Sequence, residues 1–165
     1  MANARSSGAG RVAEREGRRL ALAAVFEADF GQRTAATVLE RQLGDGSVGR
    51  RSAELARTLV DAVVRHRDTI DAQIERTAPA YPVVGLARID RALLRSALGE
   101  LLHCPATPAR VAISEWVELA RTYSGEPARR LLNGVLGRIA AQAAEAGREP
   151  GPDEQRAAQR RDRRE

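Results

Sequence analysis

The chain has 165 residues, 43% of them hydrophobic, which suffices for one compact domain or two small packed subdomains and leaves a Rossmann or barrel enzyme cramped. Its 27 basic and 22 acidic residues give a net charge of +5, which favours polyanionic partners, and since every basic residue is Arg no single Arg marks a choice over Lys. The lone Cys104 excludes an internal disulfide, no apolar run reaches the roughly 18 residues of a membrane span, and "MANARSSGAGRVAEREGRR" lacks the apolar segment of a signal peptide, so a soluble, cytoplasmic protein is expected.

Residues 1–12, rich in Gly, Ser and Arg, are predicted to be a disordered basic tail. From there on apolar residues recur at helical spacing and do not alternate over a strand's length, which predicts an all-α domain over 13–145. The first helix is expected near 13–30, with Leu22, Val25, Phe26 and Phe30 on one stripe and Gly31 able to stop it. A short helix follows near 34–43. After "GDGSVG" comes a long segment in which Leu55, Leu59, Ala62, Val63 and His66 share a face, with Asp68 placed to cap a continuation through Ile70 and Ile74.

The breaker "APAYPVVG" divides an N-terminal part of about 13–78 from a C-terminal part of about 83–145. Beyond it a helix near 85–103 aligns Leu86, Ile89, Leu93, Ala97 and Leu101. Thr107-Pro108 reads as an N-cap and first helical position for a helix carrying Ile113, Trp116, Val117 and Ala120. Pro127 can open the last helix, with Leu132, Val135, Leu136, Ile139 and Ala143 facing inward. Residues 146–165 are predicted to be a second disordered, charged tail. The count is about seven helices.

Evident chemistry is sparse. Only His66 and His103 are available for a His-based catalytic or metal site, both on helices, and His103-Cys104 has no metal-ligand spacing, so no catalytic residue, metal or cofactor is expected. Asp68 with Asp71 and Glu115 with Glu118 share helix faces as solvated pairs or partners of nearby arginines. "GDGSVG" is neither a Walker motif nor preceded by a strand. By contrast Arg11, Arg15, Arg18 and Arg19 follow i, i+4, i+7, i+8 and would form a cationic helix face able to grip phosphates. Arg129 and Arg130 sit in the first turn of the last helix, where they oppose its dipole. Asn133-Gly134 in mid-helix costs roughly 1 kcal/mol at the glycine, which close helix packing at Gly134 would explain.

Four stretches, "RRLALAAVFEAD", "ARTLVDAVVRHRDTID", "IDRALLRSALGELL" and "VAISEWVELARTYSGEPARRLLNGVLGRIA", resemble the NusB transcription antitermination factors over about residues 15–142. The resemblance implies two packed three-helix subdomains and an adapter without catalysis. Such an adapter binds single-stranded boxA-like RNA with ribosomal protein S10, serves rRNA operon transcription, and joins an RNA polymerase antitermination complex indirectly. It implies RNA contacts from Arg18, Arg129 and Arg130, to which the spacing adds Arg11, Arg15 and Arg19, with bases held near Phe26 and Leu131, and an S10 contact at Asp90, with Leu86 and Arg91 as further candidates. The hairpin at Ser124-Gly125-Glu126-Pro127 would then set the start of the last helix beside the arginine-rich first helix. Five phosphate contacts, from Arg11, Arg15, Arg18, Arg129 and Arg130, would give a log–log salt slope near −3.5. Pro127 stands where other members carry a polar residue, and the Trp frequent before "IDRALLR" is replaced by Val83, Val84 and Gly85. The alternatives are a homodimeric helical interaction protein and a detached domain related to that of RNA cytosine methyltransferases.

Overall fold

The structure, a computed structural model, describes residues 2–147. Six α-helices follow in order: α1 (Ala2–Ala28), α2 (Ala35–Leu43), α3 (Arg50–Thr77), α4 (Arg88–His103), α5 (Ala109–Tyr123) and α6 (Glu126–Ala146), with a short 3-10 turn at Val83–Gly85. The described residues contain no strand, as the missing period-two pattern predicts.

α1 packs on α2 and α3, α4 to α6 pack on one another, and α4 lies across both α3 and α1. One continuous core results, centred on Leu59, Leu93, Leu98, Trp116 and Leu132, all fully buried. α1 and α3 approach closely because Gly17 faces Ser52: a Cβ there would lie 2.9 Å from the Ser52 carbonyl oxygen. Gly99 does the same for α4 against Val63 of α3. Gly134 does not, for a Cβ there would meet only Arg138 at 3.8 Å, so the expected close packing is at Gly99 and Gly17 instead.

Several boundaries move. Helix α1 starts at Ala2, so the part of the expected 1–12 tail that is described is helical. The two segments expected between 50 and 77 form one helix kinked at His66, whose φ of −116° and ψ of 17° are not helical, and counting α3 as two gives the seven expected. The α1 stripe ends sooner than predicted: Leu22 and Val25 are buried and Phe26 is partly so, whereas Phe30 is 51% exposed beyond the helix end. Thr107 does not cap α5: Pro108 takes the cap position, one residue later than expected, and the Thr107 hydroxyl donates to Glu100. Ala143 of α6 is exposed rather than inward. The C-terminal tail expected from 146 lies outside the described residues except for Ala146, which ends α6, and Gly147.

The hairpin from α5 to α6 is built on Gly125. Its φ of 122° is a region that side chains with a Cβ rarely adopt, and its N–H, with that of Ser124, closes on the Ala120 carbonyl. Pro127 then sits in the first turn of α6, where its missing N–H costs nothing.

Candidate nucleic-acid interface

Burial divides the arginines of α1. Arg18 is 2% exposed, and its Nε and Nη2 donate to both oxygens of the fully buried Glu100 at 2.9 and 2.7 Å. Trp116 Nε1 and Thr107 Oγ1 donate to the same carboxylate, so four donors from α1, α5 and the preceding loop converge on one side chain of α4. This arrangement satisfies both charges and locks α1 against the C-terminal helices. It also corrects the phosphate role expected of Arg18: the guanidinium points into the core and its charge is already matched.

Arg15, one turn earlier, remains outside. It pairs with Glu115 of α5 at 3.0 Å with 60% of its side chain exposed, and that hydrogen bond and charge raise its pKa. Arg11 and Arg19 are exposed without a carboxylate partner among the described residues. At the start of α6, Arg129 pairs with Glu126, which is held below the usual glutamate range by that hydrogen bond, whereas Arg130 is exposed and unpaired among the described residues. Through Glu115, α5 holds Arg15 of α1, and the hairpin after α5 leads directly to Arg129 and Arg130 of α6. Arg121 pairs with Glu118 of the same helix. The surface therefore alternates in sign and is not a bare positive stripe.

Beside it runs a groove of about 590 Å³ between the start of α6 and the segment before α4. Leu86, Asp90, Arg130 and Leu131 line it together, along with the half-exposed Tyr81. Gly134 opens into this groove, which explains a small residue there better than helix packing does. Asp90 accepts a hydrogen bond from Ser124 Oγ, tying α4 to the hairpin. Arg91 is absent from the groove: it turns inward to Asp29 and the carbonyls of Val83 and Val84, which corrects the partner contact expected of it. Phe26 packs edge-on against Phe30 at 5.4 Å and leaves only part of its ring free.

Sequence reasoning missed the acidic anchors. Asp29 receives Arg91 and Arg95, and Arg95 reaches on to Asp71 of α3. Burial pushes the Asp29 carboxyl up, but the two guanidiniums outweigh it and hold the pKa below the ordinary value. Among the described residues no group of three or more His, Cys, Asp or Glu could hold a metal ion. Cys104 is buried, its thiol pushed up to about 11 by burial and by Glu100, so it is a poor nucleophile. No helix of the described residues is long and apolar enough to cross a membrane.

The model of the NusB family matches residues 15–141. The chain belongs to the NusB family. The transcription antitermination protein NusB of Dehalococcoides mccartyi strain 195 is 36% identical over 138 residues, 84% of this chain and 96% of that protein. The NusB of Chloroflexus aggregans is 40% identical over 121 residues, 72% of this chain and 81% of its own. Among solved structures NusB of T. maritima superposes with a TM-score of 0.72 at 30% identity, over 78% of this chain and 90% of its own. The antitermination factor NusB in a crystal structure with NusE and double-stranded RNA has the same fold, with a TM-score of 0.71 at 24% identity, over 79% of this chain and 97% of that one. The NusB family supplies transcription antitermination factors, and the all-helical architecture agrees with that membership.

Proposed function

We propose that the chain works in transcription antitermination as a cytoplasmic, non-catalytic RNA-binding adapter whose two halves, α1 to α3 and α4 to α6, present one shared surface. The observation that carries this reading is the pairing of Arg15 of α1 with Glu115 of α5, the helix whose hairpin leads straight into Arg129 and Arg130 of α6. Arg11, Arg15, Arg129 and Arg130 supply phosphate contacts, Arg19 adds charge at the edge, and Leu131 with the uncovered part of the Phe26 ring meets unstacked bases. Glu126, paired with Arg129, is exposed, and Glu115 holds an Arg15 that is itself 60% exposed, so a phosphate can compete for both guanidiniums.

In this proposal the groove at Leu86 and Asp90 receives ribosomal protein S10, the NusE of the related complex, with Asp90 pairing a cation of the partner. RNA polymerase is reached only through that assembly. With Arg18 withdrawn into the core, four phosphate contacts remain, and log affinity should fall with log salt at a slope of about −2.8 for single-stranded RNA.

The test is binding of the full chain to a short single-stranded boxA-like RNA and to a scrambled one, with and without purified S10. Preference for the boxA sequence, strengthened by S10, is expected. Equal affinity for both RNAs with no response to S10 would overturn the adapter. Sizing the free protein alongside reads out self-association, since a homodimer closing over this surface would lose mass per particle when RNA is added.

A further inference from the structure

A second cavity, of about 440 Å³, lies between the turn after α1 and the middle of α3. Its floor is aliphatic, made by Val25, Ala28, Ala35 and Val63, and Val64 stands 53% exposed at its rim. Two guanidiniums, Arg33 on the turn and Arg67 on α3, border it without a carboxylate partner among the described residues. The remaining charges of the cavity cancel one another. Arg95 is fully engaged by Asp71 and Asp29, and Asp29 is matched by Arg91 and Arg95. The hydroxyl of Thr34 is also spent, accepting the Thr37 N–H as the cap of α2. What is left is an apolar pocket with two uncompensated positive charges on its edge.

Its volume is in the range that takes a small ligand or one to two large side chains. No aromatic side chain lines it, so it offers an unstacked base nothing to lie on, and a nucleic acid is the poorer match. The kink at His66 falls between Val64 and Arg67, where the α3 wall changes course, so the opening is set by the backbone and not by a side-chain rotamer alone. The groove at Asp90 mixes that carboxylate with Arg130 and Arg138, whereas the uncompensated charges at this cavity are both cationic.

We propose that this cavity anchors an acidic segment of a protein partner, an apolar side chain entering between Val25 and Val63 while flanking carboxylates pair with Arg33 and Arg67. The apolar anchor supplies holding power, and the two ion pairs supply selection for acidic over neutral segments. An adapter built this way has a third docking point that neither RNA nor the groove at Asp90 occupies.

The test uses the full chain and a fluorescein-labelled dodecapeptide of alternating Asp and Leu, followed by anisotropy, with the Asn-for-Asp peptide and an oligouridylate as comparisons. The Asp peptide should bind, its affinity falling with salt, and the Asn peptide should bind at least tenfold more weakly. The double variant R33Q/R67Q and the rim variant V64E, which sets a carboxylate three residues before Arg67, should each weaken the Asp peptide at least tenfold, while R110Q on α5 leaves it unchanged. All four positions are exposed, so unchanged melting temperatures are expected. Failure of the Asp peptide to bind, or equal binding by the wild type and R33Q/R67Q, would overturn the proposal. So would loss of oligouridylate binding in R33Q/R67Q without peptide binding, which would make the cavity part of a nucleic-acid surface. The assay contains neither boxA RNA nor S10, so its outcome is independent of the adapter reading.

Discussion

Arg15 and Arg18 stand one turn apart on α1 and each makes a two-pronged contact with a glutamate, yet the side chains of one pair are 60% and 19% exposed and those of the other 2% and 0%. The chemistry of the bond is the same; water decides what it is for. In the core, Arg18 and Glu100 have surrendered hydration and can exchange for nothing else, so they fix geometry. At the surface, Arg15 is solvated and Glu115 only partly covered, so the pair gains far less and Arg15 stays open to a competing phosphate. A helix that looks like one cationic stripe is thus half fastening and half contact surface.

Removing the buried partner should have the largest effect. E100Q keeps the shape but leaves Arg18 without its counter-charge, and a loss of about 3–5 kcal/mol in folding free energy is expected by chemical denaturation. If E100Q costs less than about 1 kcal/mol, the core pair is not what holds α1. G17A ranks next, with an expected loss of about 1–3 kcal/mol, because the added methyl meets the Ser52 carbonyl and the backbones must separate. Both variants shift α1, so weaker RNA binding should accompany lower stability in each.

The exposed pair should behave in the opposite way. E115Q should change stability by no more than about 0.5 kcal/mol and should strengthen RNA binding, since a carboxylate that competes with phosphate is gone. R15A should weaken binding and lower the salt slope by about 0.7. If E115Q leaves RNA affinity unchanged, Arg15 is not a phosphate ligand and the contact surface contracts to Arg11 and the start of α6.

The sequence pattern made most of the helices legible, because each buries a periodic stripe: Leu132, Val135, Leu136 and Ile139 of α6 are all inside as their spacing requires. It failed where partners are remote in sequence. Nothing local distinguishes Arg18 from Arg15, as only Glu100, 82 residues away, draws one inward. Thr107-Pro108 satisfied the local rule for a helix start, but α5 begins one residue later, with Pro108 at the cap and the Thr107 hydroxyl turned to the remote Glu100. Likewise Gly134 had the more conspicuous neighbour in Asn133, while the glycines that let helices touch were Gly17 and Gly99. The groove at Asp90 was half legible. Asp90, Leu86, Arg130 and Leu131 do come together, but Arg91, adjacent in sequence, serves Asp29 instead.

The smallest effect concerns a contact with no opposite charge at all. His66 at the kink of α3 and His103 near the end of α4 stack with ring centroids 3.6 Å apart and planes 9° from parallel. Burial first, and then the proximity of His66, lower the pKa of His103 below its ordinary 6.5, so the folded state favours the neutral ring. An unfolded chain then binds more protons than the folded one as pH falls through about 6.5, and stability present above that point declines until the folded pKa is passed. The Asp29 cluster runs in the same direction but lower in pH, since its carboxyl loses its charge only below the ordinary range near 3.8. Thermal melting should therefore be flat from pH 8 to 7, decline slightly between 7 and 5, and decline again in acid. H103Q should remove the first decline and leave the second, because glutamine stays neutral throughout. A first decline that survives in H103Q would assign it to another group and reduce the stack to packing alone.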